Sequence, residues 1–95
     1  MKILNIIWLQ KIVDKLKQKH RVSIDEVEEI FPSSRTGFRF VEKGDIPGED
    51  VYSALGQTKA GRFLIVFFVY KKTKEALVIT ARDMDSKELR LYEKK

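Results

Sequence analysis

The eight residues Phe63-Leu64-Ile65-Val66-Phe67-Phe68-Val69-Tyr70 constrain this chain more than any other segment. They are apolar almost throughout and rich in β-branched and aromatic types. Such a run is too short for a buried helix and reads as a strand. A strand without polar alternation belongs in the middle of a sheet, covered on both faces. Its neighbours follow from the turn residues around it. Thr58-Lys59-Ala60-Gly61 predicts a hairpin turn, with Gly61 available for a positive φ, so Val51 to Gln57 is the preceding strand. Lys71 to Glu75 predicts another turn, and Ala76 to Ala81 a further strand. Phe38, Phe40 and Val41 mark a first sheet strand, and Lys43 to Asp50, with Gly44, Pro47 and Gly48, reads as a polar connection.

Helices flank this meander. Leu9, Ile12, Val13 and Leu16 recur at spacings of three and four, which gives residues 9–19 one apolar face. Residues 3–8 either form a short strand or lead into that helix. Ser23-Ile24-Asp25-Glu26 is a capping box that opens a second helix, with Val27, Ile30 and Phe31 on its apolar side and Pro32 ending it. Lys87 to Glu93 predicts a final helix with Leu89 and Tyr92 inward. The expected architecture is α+β: two N-terminal helices, an antiparallel sheet of three to four strands and a C-terminal helix, with the helices on one side of the sheet.

The 95 residues are expected to form a single domain, 1–95. No cysteine is present, which removes disulfides and thiolate metal cages and fits a reducing compartment. No segment reaches the roughly 18 apolar residues of a membrane span. The short run Ile3 to Leu9 lacks a signal peptide's cleavage pattern. A soluble, cytoplasmic protein is expected. The net charge of +5 is spread along the chain, with nine basic and seven acidic residues through Gly48 and ten and seven beyond it. Solvation explains that balance, unless folding gathers it into a patch for a polyanion or an acidic partner. His20 is the one histidine, which excludes a multi-histidine metal site and would make any Ser–His–acid triad depend on it. No Walker loop or dinucleotide fingerprint occurs.

Two stretches carry a resemblance. One is Trp8 followed by Lys19-His20-Arg21-Val22-Ser23-Ile24-Asp25-Glu26. The other is Leu55-Gly56-Gln57-Thr58-Lys59-Ala60-Gly61-Arg62-Phe63-Leu64-Ile65-Val66, then Val78-Ile79-Thr80-Ala81-Arg82, then Glu88 and Tyr92. In order and spacing, over nearly the whole chain, this resembles the BrnT family of type II toxins. The resemblance implies a RelE-like fold and metal-independent endoribonuclease activity with no cofactor and no metal. It also implies a ribbon-helix-helix antitoxin as partner, with operator DNA bound only through the toxin–antitoxin complex. Arg62, Arg82, His20, Glu88 and Tyr92 match the family's pattern and are the expected catalytic residues. Departures are Arg21 where the family prefers glycine, Leu9 in place of an aspartate, Thr80 in place of serine, and Val51 and Leu77 where many members have arginines.

Metal-free RNA cleavage requires deprotonation of the 2′-hydroxyl, stabilisation of the phosphorane and departure of the 5′-oxygen. Arginine suits the second requirement, because its fork of donors stays charged and matches phosphate oxygens. Arg62 and Arg82, at strand ends, are the expected phosphate groups. The alternatives are a solvated hairpin residue for Arg62 and an ion pair with Asp83 or Asp85 for Arg82. The candidate bases are Glu88, Glu49, Asp50 and His20. Histidine has the natural pKa, whereas a carboxylate would need burial or a like charge to raise its own. His20 equally fits capping at its helix end, and Tyr92 either stacks a base or joins the core. Lys71, Lys72 and Lys74 form a cationic turn for an RNA backbone, or a solvated one. Two other functions compete with cleavage. One is a non-catalytic protein of the same fold that binds an antitoxin-like partner, and the other is an RNA-binding module.

Overall fold

The computed structural model describes residues 1–94. The elements run β1 (Asn5–Ile7), α1 (Gln10–Lys15), a π-helical turn (Leu16–His20), α2 (Ile24–Ile30), β2 (Gly37–Ile46), β3 (Glu49–Gln57), β4 (Phe63–Tyr70), β5 (Glu75–Asp83) and α3 (Ser86–Glu93). The fold is α+β, and its five strands form one sheet in the order β1-β5-β4-β3-β2. The meander β2 to β5 is antiparallel as expected. The sheet as a whole is mixed, because β1 pairs in parallel with the outer side of β5, Asn5 against Glu75 and Ile7 against Leu77. The first element is therefore a strand. Of the two alternatives for residues 3–8, the short strand is the one formed, which makes five strands where three to four were expected; β5, distant along the chain, supplies its backbone partners.

The register of β4 explains both layers. Leu64, Val66 and Phe68 face one side and are fully buried together with Leu16, Val22, Val27, Ile30, Ala54, Ala76, Val78 and Ala81. Phe68 is the centre of this core. Phe31 meets it edge-on at 5.1 Å, and Tyr52 lies nearly parallel to it at 6.2 Å. The α2 helix approaches β3 so closely that a Cβ on Gly56 would stand 2.8 Å from a methyl of Ile30 and 2.7 Å from the Thr36 hydroxyl oxygen. That hydroxyl donates to the Ile30 carbonyl at 2.5 Å.

Alternate residues of β4 point the other way. There, Leu55 and Ile65 are buried outside the main core, and Tyr92 of α3 packs edge-on against Phe63 at 5.9 Å. The α3 helix thus covers the second face, which corrects the expectation that all helices share one side. Its cover is partial. Phe67 and Val69 stay half-exposed, so β4 is central but not sealed on both faces.

Two further expectations are corrected. The connection from Lys43 to Asp50 is mostly strand. β2 runs to Ile46 and β3 starts at Glu49, leaving a turn at Pro47 and Gly48. Register shifts between Phe40 and Glu42 and between Glu42 and Ile46 break the alternation that would have revealed it. An edge strand facing solvent also needs no apolar side chains to keep its backbone ladder. The expected first helix is likewise two pieces. The α1 helix widens into the π turn, and Arg21 closes it in the left-handed region at φ 52°, ψ 41°. Gly61 takes the positive φ expected of it, 97°. Among the described residues no helix is long and apolar enough to cross a membrane.

Candidate active site

Arg62 lies between the 58–61 turn and β4, and its side chain reaches the ends of three other elements. Its Nε donates to Asp83 Oδ1 at 2.7 Å and Nη2 to Asp83 Oδ2 at 3.2 Å. Nη1 donates to the Arg21 carbonyl at 2.6 Å and to the Glu26 carboxylate at 3.2 Å, and Nη2 to the His20 carbonyl at 2.9 Å. All three nitrogens are engaged inside the chain. The bonds converge on the left-handed turn at Arg21, so this guanidinium fastens that turn to α2 and to the end of β5. Asp83 foremost, with Glu26, raises the Arg62 pKa further, and Arg62 first and then His20 hold the Asp83 carboxyl below its ordinary value. Glu26 also completes the capping box with Ser23.

Arg82 is one residue from Asp83 on β5, so its side chain leaves the opposite face of the sheet. It forms a bidentate pair with Glu88, both bonds 2.8 Å, and Nη1 also donates to the Asp83 carbonyl at 3.1 Å. Its guanidinium carbon stands 5.8 Å from the centre of the Phe67 ring. Of the carboxylates weighed for it in the sequence, neither Asp83 nor Asp85 takes it. Asp85 instead caps α3 in a second capping box, accepting from the Glu88 N–H while the Glu88 carboxylate accepts from the Asp85 N–H. Glu88 is thereby fixed from two directions, and Arg82 foremost lowers its pKa despite partial burial. Among the described residues no bond engages Arg82 Nε, and 37% of the side chain is exposed. This fork is positioned firmly and remains partly open to solvent.

The five residues expected to share one site therefore divide. Arg62 and His20 stand on the α1–α2 side, whereas Arg82, Glu88 and Tyr92 stand on the α3 side. Tyr92 is half-buried against Phe63 and borders a cavity of about 610 Å³ with Ser34, Arg35, Gln57 and Glu93. On its other flank it borders one of about 390 Å³ that includes Arg39. Arg35, Arg39 and Gln57 carried no signal in the sequence, because only the pairing of β2 with β3 and the packing of α3 bring them beside Tyr92.

The lysine turn is remote from both groups. Lys71 follows the last residue of β4 and Arg62 precedes its first, a separation of roughly 30 Å at the rise of an extended strand. Lys71 Nζ pairs with Glu49 at 2.9 Å, and the Lys72 N–H donates to the same carboxylate at 3.1 Å. These partners, Lys71 first, hold the Glu49 carboxyl below its ordinary range. Lys72 and Lys74 are exposed. Asp50, also at this end, accepts from the Gly44 N–H at 3.3 Å. Among the described residues no three His, Cys, Asp or Glu side chains gather where a metal ion could be held.

A family model described as the ribonuclease toxin, BrnT, of type II toxin-antitoxin systems matches residues 8–88. No curated protein matches the chain.

Proposed function

Because this chain belongs to the BrnT family of ribonuclease toxins of type II toxin–antitoxin systems, we propose that it cleaves RNA without a metal at the face of the sheet beneath α3. The fold is read as RelE-like, and the site of action as the cytoplasm. The observation that carries the location is the Arg82 fork: held by Glu88, beside Phe67, and 37% exposed. A guanidinium fixed in advance stabilises the charge that accumulates on the phosphorane without having to reorganise as the charge develops. Glu88 is the positioning residue for Arg82 in this reading. A carboxylate held ionised by an arginine is a weak base near neutrality, so the 2′-hydroxyl proton passes to solvent, the leaving 5′-oxygen takes one from solvent, and the rate enhancement comes chiefly from electrostatic stabilisation. Tyr92 supplies a stacking surface for a base beside the scissile phosphate. Arg62 and His20 carry the turn that joins the first two helices, and Lys72 and Lys74 attract RNA over long range.

Membership of this family also implies an antitoxin partner. We read that partner as a ribbon-helix-helix protein that brings the complex to operator DNA. The test is cleavage of a defined RNA by purified, antitoxin-free protein in EDTA, with Arg82→Ala alongside. Loss of about 100- to 1,000-fold is expected for the variant, the usual effect of removing one transition-state donor. Equal cleavage by a folded Arg82→Ala protein, or strict dependence on added metal, defeats the proposal.

A further inference from the structure

The cavity at Tyr92 combines one stacking surface with polar groups. The Phe63 and Tyr92 rings form one wall, at 66° to each other. Gln57, Arg35 and Glu93 line the remainder. Its volume, about 610 Å³, lies in the range of small-ligand clefts, about 300–1,000 Å³. Gln57 is oriented by the bond from its Nε2 to the Gly61 carbonyl, at 3.2 Å. Its Oε1 is an acceptor with no bond among the described residues. The Glu93 carboxylate is a second acceptor.

We propose that this cavity is a base-reading subsite for guanine in single-stranded RNA, with Gln57 and Glu93 as its specificity-determining residues. The inference rests on the ribonuclease reading above and adds to it the base recognised. Guanine alone presents two neighbouring donors, N1–H and the N2 amino group, next to the O6 acceptor. Two acceptors complement those two donors. Adenine and cytosine each present one amino group there, and uracil a single imino N–H. Position agrees with this assignment. Arg82 pairs across the sheet with Ile65, and Phe63 is two residues along the same face, roughly 7 Å away. Glu88, which holds the Arg82 fork, and Tyr92 are one turn apart on α3, so a base stacked on Tyr92 lies near a phosphate on Arg82.

The experiment is direct binding of four 2′-O-methyl RNA tetranucleotides, which cannot be cleaved, to the antitoxin-free protein. They are uridine strands with guanine, adenine, cytosine or uracil at the third position. The guanine strand should bind at least about fivefold more tightly, the lower end of discrimination by a well-formed base contact. Glu93→Gln and Gln57→Ala should each reduce that preference, and Tyr92→Ala should weaken all four strands. Because Gln57 also bonds the hairpin turn, Glu93→Gln, at an exposed helix end, serves as the variant free of folding effects. Equal binding of the four strands, or a preference untouched by Glu93→Gln, overturns the assignment. So does weakened antitoxin binding in Glu93→Gln with RNA binding unchanged, which would give the cavity to the protein partner. Failure of Arg82-dependent cleavage in EDTA would sink the ribonuclease reading. Intact cleavage with no base preference sinks this inference alone.

Discussion

Replacing Arg62 with alanine separates a structural guanidinium from a chemical one. The substitution removes hydrogen bonds to two carboxylates and two backbone carbonyls. The Arg62 side chain is 26% exposed, Glu26 28% and Asp83 65%, so solvent screens the ion pairs, and each contributes about 0.5 kcal/mol. The bonds to the His20 and Arg21 carbonyls contribute about 1 kcal/mol each. The total is about 3 kcal/mol, from a domain whose stability should lie around 5–15 kcal/mol. For a chain of this size the melting temperature should fall by roughly 10–20 °C, while most molecules stay folded at 25 °C. Cleavage at 25 °C should then stay within about threefold of the wild type, in contrast to the loss expected for Arg82→Ala. Asp83 adds a check by pH. Its carboxyl is held below the ordinary value by Arg62. The stabilisation is therefore complete above the unfolded Asp value, about 4, and lost as pH falls through the lower folded value. The stability difference between wild type and variant should narrow on acidification below that point. Denaturant melts across pH, with cleavage assayed on the same preparations, measure all three effects. An Arg62→Ala protein that melts like the wild type and loses cleavage a hundredfold would refute the structural assignment.

Arg21→Gly should stabilise the chain by about 0.5–1 kcal/mol, because Arg21 holds a left-handed φ of 52° that costs a residue with a Cβ; a denaturation midpoint that falls would contradict this. Glu88→Gln should lower kcat more than it raises KM, since it loosens the Arg82 fork. In the wild type the Arg82-held carboxylate should keep activity constant from neutrality down through the ordinary Glu range, with loss only as pH drops through the depressed folded value; a pH–rate profile breaking near neutrality because of Glu88 is the opposing result. Gly56→Ala should destabilise by about 1–3 kcal/mol through overpacking against Ile30 and Thr36, and a neutral thermal melt would show that α2 yields easily.

Local patterns stated some elements outright. The apolar run 63–70, the turn at Gly61 and the capping box at Ser23 each depend on residues adjacent in the chain, and each appears where those residues place it. The glycine that the resemblance leads one to expect at position 21 would suit the same local geometry, a left-handed turn. The resemblance to BrnT toxins, drawn from motif order, agrees with the family match over residues 8–88. Other features depend on tertiary structure. β1 is a strand because β5 passes beside it, and β2 extends to Ile46 because β3 pairs with it through two irregularities. Nothing local records either pairing. The division of the candidate residues has the same origin. Arg82 and Asp83 are neighbours in sequence, yet strand alternation directs one toward Glu88 and α3 and the other toward Arg62 and α2. Sequence alone determined which chemical groups this chain possesses; only the sheet, with a helix layer on each face, decided which of them meet.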